Sequence, residues 1–161
     1  MLFGKVLAES AMRENKYVTW LPAYGAEVRG GAAYCMVIIS NEEIGSPFID
    51  RADTLIIMNE PSLRAFQQRI TKKGILLANS SLIRQEANKK AGQLSRPFTD
   101  IAVKIGNIKV ANMIALGCYI SIKNIVKKET VLQVMRDMAP ADKQELIEIN
   151  KKALEEGMAL R

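Results

Sequence analysis

Three short polar runs hold the residue types most able to engage a ligand: Tyr24-Gly25-Ala26-Glu27-Val28-Arg29-Gly30-Gly31, Asn59-Glu60-Pro61-Ser62, and Asn79-Ser80-Ser81. In the first, Gly30 and Gly31 let the backbone adopt positive φ and turn successive N–H groups toward an anion. Arg29 adds a planar fork of donors that matches a carboxylate or a phosphate. Glu27, two residues away, could pair with Arg29 and hold the loop, or stand as a solvent-exposed carboxylate. Tyr24 and Trp20 offer aromatic faces to an adenine, a partner chain or the chain's own core, and core packing is the simpler reading for Trp20. Asn59, Ser62, Asn79 and Ser80 supply neutral donors and acceptors that could line a cleft. Ser62 and Asn59 are equally suited to cap a helix. The chemistry on offer is binding, above all of a negatively charged group.

What is missing narrows the function further. The 161-residue chain has no histidine, which removes the commonest general base, the Ser-His triad and most zinc sites. Its two cysteines, Cys35 and Cys118, form no CxxC pair, so the chain alone cannot supply a four-cysteine iron–sulfur site. Neither a GxGxxG nor a GxxxxGK[ST] run occurs. A self-sufficient enzyme is therefore not expected, and no residue is assigned a catalytic or metal-binding role. The net charge of +6 is spread over pairs such as Lys72-Lys73, Lys89-Lys90, Lys127-Lys128 and Lys151-Lys152. Such pairs read as wet helix ends and loops rather than a nucleic-acid footprint, and an anionic cofactor or an acidic partner subunit suits the charge as well. No apolar run reaches the roughly 18 residues of a membrane span. The first ten residues lack the apolar core of a signal peptide, and both cysteines sit in apolar surroundings. These features together predict a cytoplasmic protein with free thiols.

The elements that must position these runs follow from hydrophobic spacing. A helical stripe covers residues 2–15, and short strands are predicted at 17–21 and 32–40. The segment 54–58 (TLIIM) reads as a buried strand. A helix from the Asn59–Ser62 run to about Ile70 follows it, closed by Thr71-Lys72-Lys73-Gly74 with Gly74 past its end. A strand at 75–78 (ILLA) comes next. Residues 84–100 show no pattern, and 100–104 (DIAVK) reads as a short strand. Helices are predicted at 107–122, at 130–138 with Thr130 as cap, and at 142–157 with Leu146, Ile149, Ala153 and Leu154 on its dry face. Apolar strands alternating with helices predict one domain over 1–161 of α/β class, a three-layer α/β/α sandwich around a mostly parallel sheet. In such sheets ligands bind beyond the carboxyl ends of the strands, where all three polar runs fall.

These runs also carry a resemblance. The chain is similar to the gamma subunits of the 2-oxoacid:ferredoxin oxidoreductases, which act on pyruvate, 2-oxoglutarate or ketoisovalerate. It matches through Tyr17-Val18-Thr19-Trp20-Leu21-Pro22-Ala23-Tyr24-Gly25 with Glu27 and Arg29-Gly30-Gly31, then Ile38-Ile39-Ser40 and Ile44-Gly45-Ser46-Pro47. The match continues through Met58-Asn59-Glu60-Pro61-Ser62-Leu63, Gly74, Asn79-Ser80-Ser81 and Asn112-Met113-Ile114-Ala115-Leu116-Gly117, and closes with Asn150, Ala153-Leu154 and Gly157. The resemblance spans nearly the whole chain in order, and Tyr-Gly-x-Glu-x-Arg-Gly-Gly is its most specific part. One departure stands out. Family members usually open with a strand and a Gly-Gly-Gln-Gly loop, whereas this sequence starts inside the helix that follows, so a central strand position is expected to be empty.

The resemblance implies a complex that oxidatively decarboxylates a 2-oxoacid to an acyl-CoA and passes electrons to ferredoxin. Thiamine diphosphate and the iron–sulfur clusters would reside in partner subunits, and alpha, beta and delta subunits would be this chain's partners. The gamma subunit would contribute coenzyme A binding and subunit packing through Tyr24, Gly25, Glu27, Arg29, Gly30, Gly31, Asn59, Ser62, Asn79 and Ser80. On this reading Arg29 meets a coenzyme A phosphate or a partner carboxylate, and Asn112 hydrogen-bonds the Arg29 loop. The Trp20–Gly25 pattern leans toward 2-oxoglutarate or branched-chain substrates over pyruvate. The alternatives are a stand-alone nucleotide- or coenzyme A-binding module and a purely structural domain, with a homodimer as a further option for the isolated chain.

Overall fold

The computed structural model describes residues 1–23, 33–84, 92–140 and 144–160. Helix α1 (Leu2–Arg13) leads into an antiparallel hairpin of β1 (Tyr17–Ala23) and β2 (Tyr34–Ser40), paired from Tyr17↔Ser40 to Ala23↔Tyr34. Asn15 turns the chain between α1 and β1 with φ 59°, a conformation Asn tolerates better than most residues. Strand β3 (Ala52–Ile57) is followed by α2 (Glu60–Phe66), β4 (Ile70–Asn79) and β5 (Gly92–Arg96). These three strands form a parallel sheet in the order β3-β4-β5. The remaining helices are α3 (Phe98–Ile105), α4 (Ala111–Lys123), α5 (Lys128–Met138) and α6 (Gln144–Met158).

Side chains alternate along the strands. In β4, Leu76 and Ala78 join Ile57 and Leu63 in a core under α2, while Leu77 between them points into the larger core with Phe98, Ile114 and Leu116. Ile56 and Met58 pack on that larger core as well, so β3 alternates in the same sense. The hairpin follows suit. Val18, Val37 and Ile39 face the larger core, and the Tyr34 ring lies 4.7 Å from Phe66 on the α2 side. The side chains of both sheets thus divide between the two faces, and the expected α/β fold stands. Among the described residues no strand of the hairpin pairs with one of the three-stranded sheet. The largely apolar β2 stays half-buried along its full length, as does all of β3 that is apolar except Ile57.

Several expected boundaries move. The segment 70–74, expected to close a helix, belongs to β4. The helix stops at Phe66, a 3-10 turn spans Gln67–Arg69, and β4 enters its pairing with β3 through an irregularity between Ala52 and Thr54. Gly74 is needed there for space, since a Cβ would lie 2.5 Å from the Ile70 side chain and 3.1 Å from the Thr71 carbonyl. The predicted strand at 100–104 is α3. Phe98 and Ala102, four residues apart, are both fully buried, which is a helical and not a strand spacing. Part of the patternless stretch is β5, whose sequence GQLSR has one large apolar residue and gave no alternation to detect. Helix α5 begins at Lys128, so Thr130 lies inside it and is not its cap. On α6, Ala153 and Leu154 are fully buried but Leu146 is 40% exposed, so its dry face is narrower than the spacing suggested.

Candidate functional site

The carboxyl ends of β3, β4 and β5 converge, and one buried amide holds them together. Asn79 closes β4 with no exposed surface. Its Nδ2 donates to the Met58 carbonyl at 3.1 Å and to Thr99 Oγ1 at 2.8 Å, and its Oδ1 accepts from the Thr99 N–H at 3.3 Å. Ser81 Oγ accepts from the Asp100 N–H at 3.0 Å. Two of the free N–H groups in the first turn of α3, those of Thr99 and Asp100, are therefore taken up by Asn79 and Ser81. The Ser80 N–H donates to the Arg96 carbonyl at 2.9 Å and ties the ends of β4 and β5 together, leaving its side chain exposed.

The end of β3 is organised by a cap. Asn59 Oδ1 accepts from the Ser62 N–H at 3.0 Å, and Pro61 occupies the first turn of α2, where its missing N–H costs nothing. Of the two candidate caps, Asn59 takes the role and Ser62 is its partner. Glu60 reaches across to the segment after β4: its Oε2 accepts from the Arg84 N–H at 3.3 Å. Its Oε1 is buried without a hydrogen-bond partner, 3.8 Å from the Arg64 guanidinium.

Of the ten binding residues expected from the sequence, the structure brings Asn59, Ser62, Asn79 and Ser80 to this one edge. Asn79 has spent its donors and acceptor on the fold, which corrects its reading as a cleft residue. Ser80 and the partly exposed Ser62 keep hydroxyls directed to neither of these networks. Tyr24, Gly25, Glu27, Arg29, Gly30 and Gly31 lie outside the described residues. Trp20, half-buried, packs against α1 at Gly4, where a Cβ would come within 3.4 Å of its Nε1. That nitrogen has no hydrogen-bond partner, and neither does the buried Oδ1 of Asn112.

Arg84 was not singled out by the sequence. Its backbone is pinned to Glu60 and its side chain is exposed, so an anion donor stands at the same strand ends. The only signal was its place three residues after the Asn79-Ser80-Ser81 run. Cys35 is half-buried and Cys118 buried, both as free thiols.

Among the described residues, the displaced titrations belong to groups other than Asn59, Ser62, Asn79 and Ser80. Burial raises the Cys118 thiol, opposed by the nearby charge of Arg96. Burial likewise raises the Tyr119 phenol, against a hydrogen bond from Thr54. Hydrogen bonding to Arg13 and Gln133 holds Asp137 below its ordinary value, and Lys128 does the same for Glu155. These pairs fasten α1 to α5 and α5 to α6, and are structural. The edge itself offers neutral hydroxyls, a backbone fixed by mutual hydrogen bonds and a guanidinium. It can bind, and it holds no acid–base pair among the described residues.

The family described as pyruvate ferredoxin/flavodoxin oxidoreductase matches residues 1–160. The chain belongs to this family. A ketoisovalerate oxidoreductase subunit, VorA of Methanothermobacter thermautotrophicus, is 33% identical over 154 residues, which are 96% of this chain and 32% of that one. The chain thus spans about a third of the length of the VorA relatives it matches. A 2-oxoglutarate synthase subunit, KorC of Archaeoglobus fulgidus, is 30% identical over 140 residues, 86% of this chain and 72% of its own. Among solved structures, the gamma subunit of a keto/oxoacid ferredoxin oxidoreductase from Geobacter sulfurreducens superimposes with a TM-score of 0.85 at 25% identity. That alignment covers 99% of this chain and 89% of the other. Pyruvate oxidoreductase subunit PORC from Thermotoga maritima gives 0.77 at 30% identity, covering 98% and 87%. A 2-oxoglutarate:ferredoxin oxidoreductase from Magnetococcus marinus, with 2-oxoglutarate, coenzyme A and succinyl-CoA bound, shares the fold with a TM-score of 0.89 at 21% identity. The chain corresponds to 28% of it.

Proposed function

We propose that this chain is the gamma subunit of a 2-oxoacid:ferredoxin oxidoreductase, a complex that oxidatively decarboxylates a 2-oxoacid to an acyl-CoA. The observation that carries the reading is the family match over 1–160 together with the close superposition on a gamma subunit of similar length. The residue inventory agrees. Two cysteines on separate elements cannot make a four-cysteine cluster, and on this reading the clusters and thiamine diphosphate fall to the alpha, beta and delta subunits. Its own contribution is a binding edge and packing surfaces. Coenzyme A is the anionic ligand that suits that edge, with Arg29, Gly30 and Gly31 offering donors to its phosphates, and Arg84, Ser62 and Ser80 supplementing them. The relative that binds coenzyme A and succinyl-CoA in its solved structure supports this choice of ligand. The cytoplasm suits a ferredoxin-coupled complex with free thiols.

The test is reconstitution. Co-expressed alpha, beta and delta subunits are assayed for coenzyme A-dependent ferredoxin reduction with and without this chain, on 2-oxoglutarate, branched-chain 2-oxoacids and pyruvate. Activity should require the chain, with 2-oxoglutarate or the branched-chain acids preferred. Arg29→Ala and Arg84→Ala should each raise the KM for coenzyme A about tenfold, the loss of one charge-assisted contact, and leave kcat nearly unchanged. Full activity without the chain would overturn the assignment. Unchanged KM in both variants would remove coenzyme A from this chain and leave it a packing subunit.

A further inference from the structure

Residues 80–84 turn away from the carboxyl end of β4 on a backbone that is tied down at almost every step. The Ser80 N–H donates to the Arg96 carbonyl at 2.9 Å, and the N–H groups of Leu82 and Ile83 both donate to the Asn79 carbonyl, at 3.1 and 3.0 Å. Ile83 drops into the core under α2, in one cluster with Leu63. A further tie comes from α2 itself, where Glu60 Oε2 accepts from the Arg84 N–H at 3.3 Å. A glutamate in the first turn of a helix can serve the helix dipole from solvent. Glu60 does not stay in solvent. Its Oε1 is buried with no hydrogen-bond partner, at a desolvation cost that the Arg64 guanidinium, 3.8 Å away, offsets in part. A carboxylate is also a poor contact for a phosphate, which it repels. What this side chain supplies at the edge is reach toward the turn, not charge.

We propose that Glu60 is a positioning residue for Arg84: by fixing that residue's backbone against α2, it presents the guanidinium to the phosphates of coenzyme A at the strand ends. An arginine on a loose segment loses backbone as well as side-chain freedom when it grips an anion, and that loss weakens binding. With Ile83 packed under α2 and Arg84 bonded to its first residue, the backbone share of that loss is met on folding, and the side chain remains to be ordered. Asn79 builds the turn from β4, and Glu60 secures its far end from α2. The inference rests on the coenzyme A reading above and adds to it a residue that acts through another rather than by touching the ligand.

The experiment compares three variants at position 60 in the reconstituted complex, assayed for coenzyme A dependence. Glu60→Ala removes the tie. Glu60→Asp keeps the charge on a side chain one methylene shorter, and Glu60→Gln keeps the length and an acceptor oxygen without the charge. The first two should each raise the KM for coenzyme A about fivefold with kcat within about twofold of the parent, and the third should keep a KM within about twofold of it. In an Arg84→Ala background, Glu60→Ala should add nothing further, as expected of a residue that acts through Arg84. Thermal melts identify a variant that does not fold, and Glu60→Asp, acceptable in a first helical turn, carries the comparison if Glu60→Ala is lost. A parent-like KM in Glu60→Ala and Glu60→Asp beside a raised KM in Arg84→Ala overturns the positioning inference alone. A raised KM in Glu60→Gln with none in Glu60→Asp, or full additivity with Arg84→Ala, does the same. A parent-like KM in Arg84→Ala also overturns it, and if Arg29→Ala is parent-like as well, the coenzyme A reading falls with it.

Discussion

Asn79 shows how a residue that looks like a ligand contact can instead hold a binding edge together. Its side chain joins the end of β3, the end of β4 and the first turn of α3 through three hydrogen bonds, with no exposed surface. Asn79→Ala strands a carbonyl and an N–H in the interior and should cost about 2–3 kcal/mol, read as a lower urea midpoint with an unchanged slope. Arg13 and Asp137 meet at the surface at 2.5 Å, with Glu9 on the other side of the guanidinium. Asp137 has a folded-state pKa below its ordinary value, so it contributes stability above that ordinary value and loses it as pH falls through the lowered one. Asp137→Asn should therefore leave a stability curve that declines less steeply below about pH 4, with a small difference at neutral pH because the pair is solvent-exposed. A variant that declines as steeply as the parent would show that the pair has no part in acid unfolding.

At the level of elements, the contact between α4 and α6 is set by two glycines. A Cβ on Gly117 would lie 2.0 Å from the Leu154 carbonyl oxygen, and one on Gly157 would lie 1.9 Å from that of Ile114. Backbone cannot step aside as a flexible side chain can, so even a methyl must part the two helices. Gly157→Ala should cost about 3 kcal/mol or more and lower Tm by about 10 °C in a chain of this size, as thermal melts would show. A parent-like Tm would mean that the helices are not seated this closely. The identity of α3 was also settled between elements. DIAVK alternates well enough to pass for a strand, but Ser81 and Asn79 cap its first turn and Phe98 and Ala102 drop into one core, so a helix forms.

For the whole molecule, the described strands form two separate sheets. The hairpin and β3 each have backbone edges without a strand partner among the described residues, whereas β4 is paired on both sides and buried over its second half. Hydrogen exchange should therefore rank amides of 76–78 in β4 as slow, near the global unfolding rate, and those of β1, β2 and the outer edge of β3 as markedly faster. Uniform protection across all five strands would mean that the two sheets are continuous in solution.

The hydrophobic runs of β2, β3 and the second half of β4, the helical stripes of α1 and α6, and the α/β class were legible in the sequence, because each depends on the spacing of apolar residues along a short stretch. The ordered motifs named the family. What lay beyond reach depended on partners distant in the chain. β5 has too little apolar content to announce itself and exists because β4 supplies its hydrogen bonds. Residues 70–74 extend a strand because Gly74 fits where no larger side chain would, and Asn79 was claimed by Met58 and Thr99 from elsewhere in the fold. Local chemistry determined which residues could bind. Only tertiary packing decided which were free to do so, because a side chain's availability depends on what the rest of the chain has already asked of it.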